Sequence, residues 1–408
     1  MQNQLPGLIG VHQVMATLGY GDAIGHEALG IQRVLRHAGY ESNIYVETAD
    51  VRVESFTEDY HDLIEQSNPN NILIHHFSLG SKASRVAFAL PDRMVLIYHN
   101  ITPPSYFVGV NDDLVRQCYS GRRELTAYIP RCDLALGDSE FNRLELEQVG
   151  FPVTDVLPVV PSLKHLDVEP DNIMANEFDD DRTNILFVGR MIPNKRIDDL
   201  IKFFNVYRLR YNPRSRLLLV GAHSGFEEYV GALYNLIRTL RIPDVHLFGH
   251  VSNEELTALY DVSDLFLSAS EHEGFCVPLV EAFYKQIPVM AYSSTAIPST
   301  LDGGGVLYDR KDPRHVASII HTVLSDTSLH DEIMIAENPP RARLRQKDIG
   351  LTLTNFIKQV HEGPRAEPPA VASDFWEQLA IDARRRARRY SCWFRSDRSI
   401  NFANFREA

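Results

Sequence analysis

The chain has 408 residues, of which 41 are Lys or Arg and 54 are Asp or Glu, so its formal net charge is −13. With 44% hydrophobic and 23% charged residues, 23 Gly and 22 Pro, the composition excludes a collagen-like, a fully disordered and a disulfide-dense protein. The acidic balance argues against nucleic acid as a partner, because duplex-binding proteins neutralise phosphates with Lys and Arg. The length predicts two or three domains, enough to enclose a cleft.

The cysteines and the N-terminus indicate the cellular setting. Cys118, Cys132, Cys276 and Cys392 fit neither a Cys-x-x-Cys pair nor a zinc-ligand spacing, so we expect reduced thiols. The N-terminus has no basic patch followed by an apolar core, and no apolar run approaches the ~20 residues that span a bilayer. We therefore expect a cytoplasmic protein, and peripheral contact with the inner face of the plasma membrane stays open.

The N-terminal part of the chain alternates short apolar runs with amphipathic segments. This alternation is typical of βαβ units and a parallel sheet. A helix is predicted from about Ile24 to His37. The predicted strands are Leu8–His12, Ile44–Val46, Ile72–His75, Met94–Tyr98, Leu134–Leu136 and Val156–Leu157. We assign residues 1–165 to an N-terminal Rossmann-like domain.

A polar, acidic segment from His165 to Arg182 is predicted to join this domain to a second one. After it the alternation restarts, and residues 183–345 are assigned to a second Rossmann-like domain. The predicted strands are Ile185–Val188, Leu217–Val220, Val245–Phe248, Leu265–Leu267, Val289–Ala291 and Val306–Leu307. The expected fold class is α/β, with two doubly wound parallel sheets. Ligands of such sheets bind beyond the carboxyl ends of the strands, so we expect the site in an interdomain cleft.

Residues 346–408 are predicted to form C-terminal helices and a basic tail. One helix is predicted over Gln346–Val360, and another from about Ser373, after a segment rich in Gly and Pro. The tail carries seven arginines from Arg384 to Arg398, interleaved with aromatic residues. This pattern is typical of a membrane-surface or anionic-partner element, and a solvated arginine face on a packed helix accounts for it equally well.

Two cations follow the predicted strand that ends at Val188. Gly189 and Arg190 come at its carboxyl end, and Lys195 lies before a helix predicted to start near Ile197. Arg can bind phosphate oxygens through two hydrogen bonds, while Lys acts as a point charge. The loop is therefore a candidate diphosphate site, although surface Arg and Lys are common in such loops.

A second motif follows the predicted strand Leu265–Leu267. Pro278 suits the first position of a helix, so Glu273 is predicted in the preceding loop and Glu281 in the first turns of the helix. The amides of residues 274–276 are expected to face an anion, assisted by the positive helix terminus. A favourable position in the helix dipole for Glu281 and a solvated loop for Glu273 are the structural alternatives.

Together the two motifs resemble the signature of retaining glycosyltransferases of family GT4, which have the GT-B fold. The residues that carry the resemblance are Gly189-Arg190 with Lys195, and Glu273-Gly274-Phe275 with Pro278 and Glu281. The Glu-x7-Glu spacing is the hallmark of the family. The resemblance covers about residues 8–360 and leaves the basic tail outside. It implies a hexosyltransferase whose N-terminal domain lies on the acceptor side and whose C-terminal domain binds the nucleotide sugar.

The resemblance also implies roles for the matching positions. Arg190 and Lys195 would bind the diphosphate of the donor and stabilise the leaving group. Glu281 would accept hydrogen bonds from the ribose hydroxyls, and Glu273 would contact hydroxyls of the transferred sugar. Further donor-binding positions are implied at Gly189, Gly274, Phe275, Cys276 and Val277, and at His250 and Val251 beside the nucleobase.

Two segments of the N-terminal domain match the family as well. Gly21 and Asp22 belong to a loop that resembles the glycine-rich loop near the donor phosphates. His99 follows a predicted strand and corresponds to the histidine that related enzymes place beside the transferred sugar. A satisfied structural histidine is the alternative for His99.

The resemblance implies neither a cofactor nor a metal, because protein cations bind the diphosphate. Asp112-Asp113 and residues 179–181 are interpreted as a loop and a linker rather than as a metal motif. The expected partners are a GDP- or UDP-linked sugar and a saccharide or lipid-linked acceptor, with membrane contact through the segment from Arg384 to Arg398 left open.

Two other functions are compatible with these sequence features. One is a nucleotide-sugar epimerase of the same architecture, which would alter the sugar without an acceptor. The other is a catalytically degenerate scaffold that docks through its arginine-rich tail. The presence of both cations and both glutamates argues against the scaffold, since loss of catalysis would relax any of them.

Overall fold

The computed structural model describes residues 7, 10–19, 23–159, 161, 163–346, 349–367, 370, 374, 377–378 and 381. Within these residues the strands form two parallel sheets, as predicted, and the first has the order β3-β2-β1-β4-β5-β6-β7. Its strands are β1 (Val11–Leu18), β2 (Ile44–Ala49), β3 (Thr57–Asp59), β4 (Ile72–Phe77), β5 (Arg93–Tyr98), β6 (Leu134–Gly137) and β7 (Thr154–Val156). The central strands β4 and β5 are buried along their whole length, which is why most of their residues are apolar.

Helices connect the strands of the first sheet: α1 (Ala23–His37), α2 (Leu63–Gln66), α3 (Lys82–Ala89), α4 (Asp112–Ala127) and α5 (Glu140–Val149). The side chains of Ser81, Asn111 and Ser139 accept a hydrogen bond from the backbone amide three residues on, and so determine where α3, α4 and α5 begin. Asp112-Asp113, predicted as a loop, is instead the first turn of α4, where carboxylates are stabilised by the helix dipole.

The second sheet has the order β10-β9-β8-β11-β12-β13 in the described part of the chain. Its strands are β8 (Thr183–Val188), β9 (Ser215–Val220), β10 (Val245–Gly249), β11 (Leu265–Ser268), β12 (Val289–Tyr292) and β13 (Val306–Tyr308). The accompanying helices are α6 (Asn172–Phe178), α7 (Ile197–Arg210), α8 (Glu227–Leu240), α9 (Asn253–Asp261), α10 (Val277–Tyr284), α11 (Ile297–Leu301), α12 (Pro313–Ser325) and α13 (Thr327–Gln346).

The segment predicted to join the domains is partly helical. It contains a 3₁₀ turn at Lys164–Leu166 and then α6, which begins after Asp171 because the Asp171 carboxylate accepts from the amide of Met174. The backbone amide of Asp171 in turn donates to the carbonyl of Glu254 on α9 at 3.0 Å. The joining segment is therefore packed against the second domain.

The helix predicted over Gln346–Val360 is present as α14 (Ile349–Glu362), and it packs on the first sheet. Its buried residues Leu353, Phe356, Ile357 and Val360 join a core cluster formed by β1, β4, β5 and β6. The Arg93 guanidinium of β5 donates to the carbonyl oxygens of His361, Gly363 and Pro364 at 2.8, 2.9 and 2.7 Å. The chain therefore returns to the N-terminal domain after completing the second sheet.

The arginine-rich segment from Arg384 to Arg398, and Ser373, lie outside the described residues. Among the residues that are described, no helix combines the length and the apolar character needed to cross a bilayer.

Two glycines meet at the carboxyl ends of β8 and β9. A Cβ atom placed on Gly221 would lie 1.9 Å from the carbonyl oxygen of Gly189, and the φ angle of Gly221 is +151°. Neither the contact nor the backbone conformation admits a side chain. The close approach of Gly221, at the end of β9, therefore positions the loop that begins at Gly189.

We expect Gly221→Ala to lower the free energy of unfolding by about 2–4 kcal/mol, since overpacking and backbone strain add. Gly231→Ala is the matched control, because a Cβ there meets nothing within 4 Å on the exposed face of α8. This control should gain about 0.5–1 kcal/mol from helix propensity. Urea unfolding of both variants measures the difference, and equal stability of the two would contradict the close approach.

Candidate active site

The two sequence motifs meet at the carboxyl ends of the adjacent strands β8 and β11. The turn after β8 is bonded to the loop after β11 by the buried Asn194, whose amide nitrogen donates to the His272 carbonyl at 3.0 Å. The amide of Glu271 donates to the Asn194 carbonyl at 2.8 Å. The Glu273 amide donates to Thr295 Oγ1 at 2.9 Å, which holds the other side of the loop. These bonds fix both loops before any ligand arrives.

Lys195 and Glu273 form a close ion pair in this arrangement. Lys195 Nζ lies 2.5 and 2.6 Å from the two carboxylate oxygens of Glu273, whose side chain is 8% exposed. Burial lowers the pKa of Lys195, but the charge of Glu273 and its hydrogen bond to Lys195 outweigh this, and the net pKa is raised. Lys195 is therefore a permanent cation that is oriented by Glu273.

Arg190 lies on the same loop but is exposed to solvent. Its guanidinium carbon is 5.8 Å from the centre of the Phe226 ring, within the range of a cation–π contact. The positive charge of Arg190 acts to lower the pKa of Lys195, because the two cations repel each other. The two predicted phosphate-binding cations thus share one region, and Arg190 is the one that solvent reaches more freely.

The loop after Glu273 enters α10 through a left-handed residue. Cys276 has a φ angle of +76°, and α10 begins at Val277, so Pro278 is the second residue of the helix rather than the first. Non-glycine residues in this conformation carry strain and concentrate at functional sites. Burial, followed by the nearby Glu273 carboxylate, raises the Cys276 pKa well above its ordinary value. The thiol is therefore neutral, as expected for a reduced cysteine.

Glu281 lies one turn into α10 and is 6% exposed. Both of its carboxylate oxygens accept a hydrogen bond: Oε1 lies 2.9 Å from His165 Nε2, and Oε2 receives the hydroxyl of Tyr260 at 2.8 Å. The helical position predicted from the motif is correct. The contact with the joining segment was not predicted.

The predicted nucleobase segment lies directly after β10. His250 is exposed and Val251 is half-buried, and Val251, like Cys276, packs against the core cluster that contains Leu166. Val251 therefore lies on the same side of the domain as the start of α10. Gly21 and Asp22 fall outside the described residues.

The N-terminal domain contacts the loop that carries Glu273. The His272 ring lies between Tyr106 and Phe141, with ring centres 6.3 and 6.1 Å away. Ser139 Oγ donates to the Gly274 carbonyl at 2.8 Å, and a Cβ on Gly274 would lie 3.0 Å from the Cβ of Asn100. The candidate sugar-binding loop is therefore at the boundary between the two domains, where the cleft was predicted.

His99 lies at the end of β5, but its side chain is buried at 1% exposure. Its Nε2 is 2.9 Å from His76 Nδ1, and its Nδ1 is 3.0 Å from Asp138 Oδ2. His76 Nε2 is 2.8 Å from Gln13 Oε1, and the Gln13 amide nitrogen donates to the Ala28 carbonyl. In this conformation both ring nitrogens of His99 are bonded within the domain. Contact with a sugar stays a prediction.

The hydrogen-bond chain has a direction. Because Gln13 donates through Nε2, its Oε1 accepts from His76, so His76 Nδ1 accepts from His99 Nε2. His99 Nδ1 then faces the Asp138 carboxylate, and a proton must lie between them. The chain therefore links Gln13 on β1 to Asp138 through the two histidine rings.

Glu27 of α1 completes this buried cluster. Its Oε2 is 3.8 Å from His99 Nδ1, and neither of its oxygens has a hydrogen-bond partner among the described residues. Burial and repulsion by Asp138 raise the pKa of Glu27 to about 8, although His99 acts in the opposite direction. Glu27, His99 and Asp138 are also the described residues whose spacing would admit a metal ion, with ligand atoms within 4.8 Å of one another.

Sequence reasoning missed the residues that position these groups. The side chains of Asn194 and Thr295 hydrogen-bond to backbone groups of another loop, and no local sequence pattern reveals such contacts. Glu27 and His76 did leave a signal: Glu27 shares a face of α1 with apolar residues, and His76 follows another histidine in an otherwise apolar strand. Buried polar residues in apolar elements need hydrogen-bond partners, so such positions in a sequence indicate buried polar contacts.

Comparison with known proteins finds similarity mainly in the second domain. Residues 168–338 match the family described as "Glycosyl transferases group 1". Over 144 residues the chain is 30% identical to O-antigen chain mannosyltransferase B of Escherichia coli, a match that covers 35% of this chain and 37% of that protein. It is also 30% identical over 156 residues to D-inositol 3-phosphate glycosyltransferase of Corynebacterium kroppenstedtii, which covers 35% and 33% of the two chains. The matches span less than two fifths of these relatives.

Solved structures match over most of the chain. Sucrose-phosphate synthase from Thermosynechococcus elongatus superposes with a TM-score of 0.66 at 16% identity, covering 86% of this chain and 99% of that one. Anabaena Alr3699/HepE in complex with UDP-glucose gives the same TM-score and identity, with 86% and 100% covered. At this identity the likeness shows the fold, which is GT-B as predicted. The match to the group 1 glycosyl transferase family lies inside that fold, in the second domain.

Proposed function

We propose that the protein transfers a hexosyl group from a nucleoside-diphosphate sugar to a hydroxyl group of a saccharide or a lipid-linked saccharide, with retention of anomeric configuration. The observation that carries the proposal is the Lys195–Glu273 pair beside the domain boundary, with Nζ–oxygen distances of 2.5 and 2.6 Å. A fixed cation suits a departing diphosphate, and a carboxylate beside it suits the hydroxyls of the transferred sugar.

In the proposed reaction the bond between the anomeric carbon and the diphosphate oxygen breaks, and the acceptor oxygen forms a bond to the same carbon. The acceptor approaches the face from which the diphosphate departs, and its proton passes to the departing phosphate. Negative charge develops on the phosphate, where Lys195 and Arg190 stabilise it without reorganisation. No metal is required in this scheme.

The relatives point to two possible donor sugars, mannose and glucose. One is named as a mannosyltransferase, and one solved structure holds UDP-glucose. Both uridine and guanosine diphosphates therefore belong in the first experiment, with mannose and glucose as the sugars.

Thermal unfolding with UDP, GDP and their sugar conjugates tests the donor. A ligand that binds only the folded state stabilises it by about 2.7 kcal/mol at roughly one hundred times its Kd. We expect one base to raise the Tm and the other to leave it unchanged, and we expect transfer to persist in excess EDTA. The absence of a shift with every nucleotide, together with the absence of transfer, would contradict the proposal. A changed sugar released without acceptor would favour an epimerase instead.

A further inference from the structure

We propose that His165, together with Tyr260, is a positioning residue for the Glu281 carboxylate, so that recognition of the ribose depends on the segment that joins the two domains. This inference rests on the proposed function. It adds a residue outside the motifs that carry the resemblance, on a segment that the sequence presents only as a linker.

The carboxylate of Glu281 is held at both oxygens. His165 Nε2 lies 2.9 Å from Oε1, and the Tyr260 hydroxyl donates to Oε2 at 2.8 Å. A carboxylate offers about four lone-pair sites, so each oxygen keeps one for a ligand. Two adjacent ribose hydroxyls need two acceptors at a defined orientation, and these two bonds define that orientation.

Tyr260 relates Glu281 to the segment predicted beside the nucleobase. It is fully buried on α9, and burial followed by the Glu281 charge raises the pKa of Tyr260 well above its ordinary value. The phenol is therefore a permanent donor. Val251 is followed by Ser252, which caps α9 and forms a capping box with Glu255. One rigid helix thus connects the nucleobase segment to the ribose carboxylate.

His165 relates Glu281 to the joining segment. It lies in the 3₁₀ turn Lys164–Leu166, and Leu166 is buried in the same core cluster as Tyr260. A second bond follows two residues later, where the Tyr284 hydroxyl donates to the Asp167 carboxylate. Glu281 and Tyr284 are three residues apart on α10 and therefore share a face. Both contacts hold the segment to α10, and His165 is the one that reaches the carboxylate of Glu281.

Loss of the His165 bond releases one oxygen of Glu281. A nucleotide with both ribose hydroxyls then loses affinity, because one hydroxyl no longer has an oriented acceptor. An analogue that lacks this hydroxyl never made the bond, so its affinity changes less. The diagnostic quantity is therefore the ratio of the Kd of the deoxy analogue to that of the ribonucleotide. A general loss of structure would weaken both ligands and leave this ratio unchanged.

Isothermal titration calorimetry with UDP and GDP, and with the 2′-deoxy and 3′-deoxy forms of whichever binds, tests the inference. We expect His165→Ala to weaken the ribonucleotide about tenfold, the range for one hydrogen bond to a charged group. The deoxy form that lacks the hydroxyl bound to Oε1 should weaken less than about twofold. His165→Gln, whose amide nitrogen can replace Nε2, should restore the ratio, and the shorter His165→Asn should not.

Asp167→Asn is the matched control, because it alters the second contact of the segment without touching Glu281. It should keep the wild-type ratio. A wild-type ratio in both His165→Ala and His165→Asn would overturn the inference. Failure of the unaltered protein to bind either UDP or GDP would instead overturn the proposed function, so the two failures are distinct.

Discussion

Lys195→Ala is expected to lower kcat by about 10²–10³, the loss typical when one preorganised donor to the developing charge is removed. It should also lower the free energy of unfolding by about 3 kcal/mol, because Glu273 would be left buried without its partner. Turnover with the identified donor and urea unfolding measure the two effects separately.

Arg190→Ala separates chemistry from stability. Arg190 is exposed and its guanidinium makes a cation–π contact with Phe226, so the variant should lose turnover to a similar degree while unfolding within about 1 kcal/mol of the unaltered protein. Lys195→Ala combined with Glu273→Gln should recover stability but not activity, since the buried charge is removed with its partner. Lys358→Ala, on the exposed face of α14, serves as the neutral control. Near-normal transfer by either Lys195→Ala or Arg190→Ala would refute the phosphate-binding role.

Glu27→Gln is expected to make the protein more stable at alkaline pH. The pKa of Glu27 rises from its ordinary 4.5 to about 8 in the folded state, so between these values the folded protein binds more protons than the unfolded chain. Stability is then lost as the pH rises from about 4.5 to about 8, by at most about 1.4 kcal/mol for each pH unit. Glutamine cannot ionise, so the variant lacks this loss.

Urea unfolding at pH 5, 6.5 and 8, three points chosen across that window, measures the difference between Glu27→Gln and the unaltered protein. The stability advantage of the variant should grow with pH. Glu332→Gln on the exposed surface of α13 should show no such trend. A constant difference across the three conditions would mean that Glu27 is ionised throughout.

The fold was predictable because both sheets are built from long apolar strands. Strands such as β4 and β8 each contain an apolar run, at residues 72–74 and 185–188, and the connecting helices have amphipathic patterns with recognisable caps. The polar edge strand β3 had no such signal, since its three residues are Thr, Glu and Asp. Helix α6 was missed because its sequence is short and polar, and packing against α9 stabilises it.

The candidate site was predictable where one loop holds a whole motif. Lys195, Glu273 and Glu281 lie where the two motifs predict, since each follows a strand whose carboxyl end faces the cleft. The contacts of His165 and Glu27 were not predictable, because each joins residues far apart in the chain. His99 illustrates the same limit: its place at the end of β5 was correct, but its bonds to His76 and Asp138 arise only from tertiary packing.

The return of α14 to the first sheet means that the two domains are joined by two covalent connections. One runs through the segment before β8, and the other between α13 and α14. The N-terminal domain takes part of its core from α14, near the other end of the chain. Dividing the chain between the two sheets would therefore split a folding unit instead of separating two independent domains.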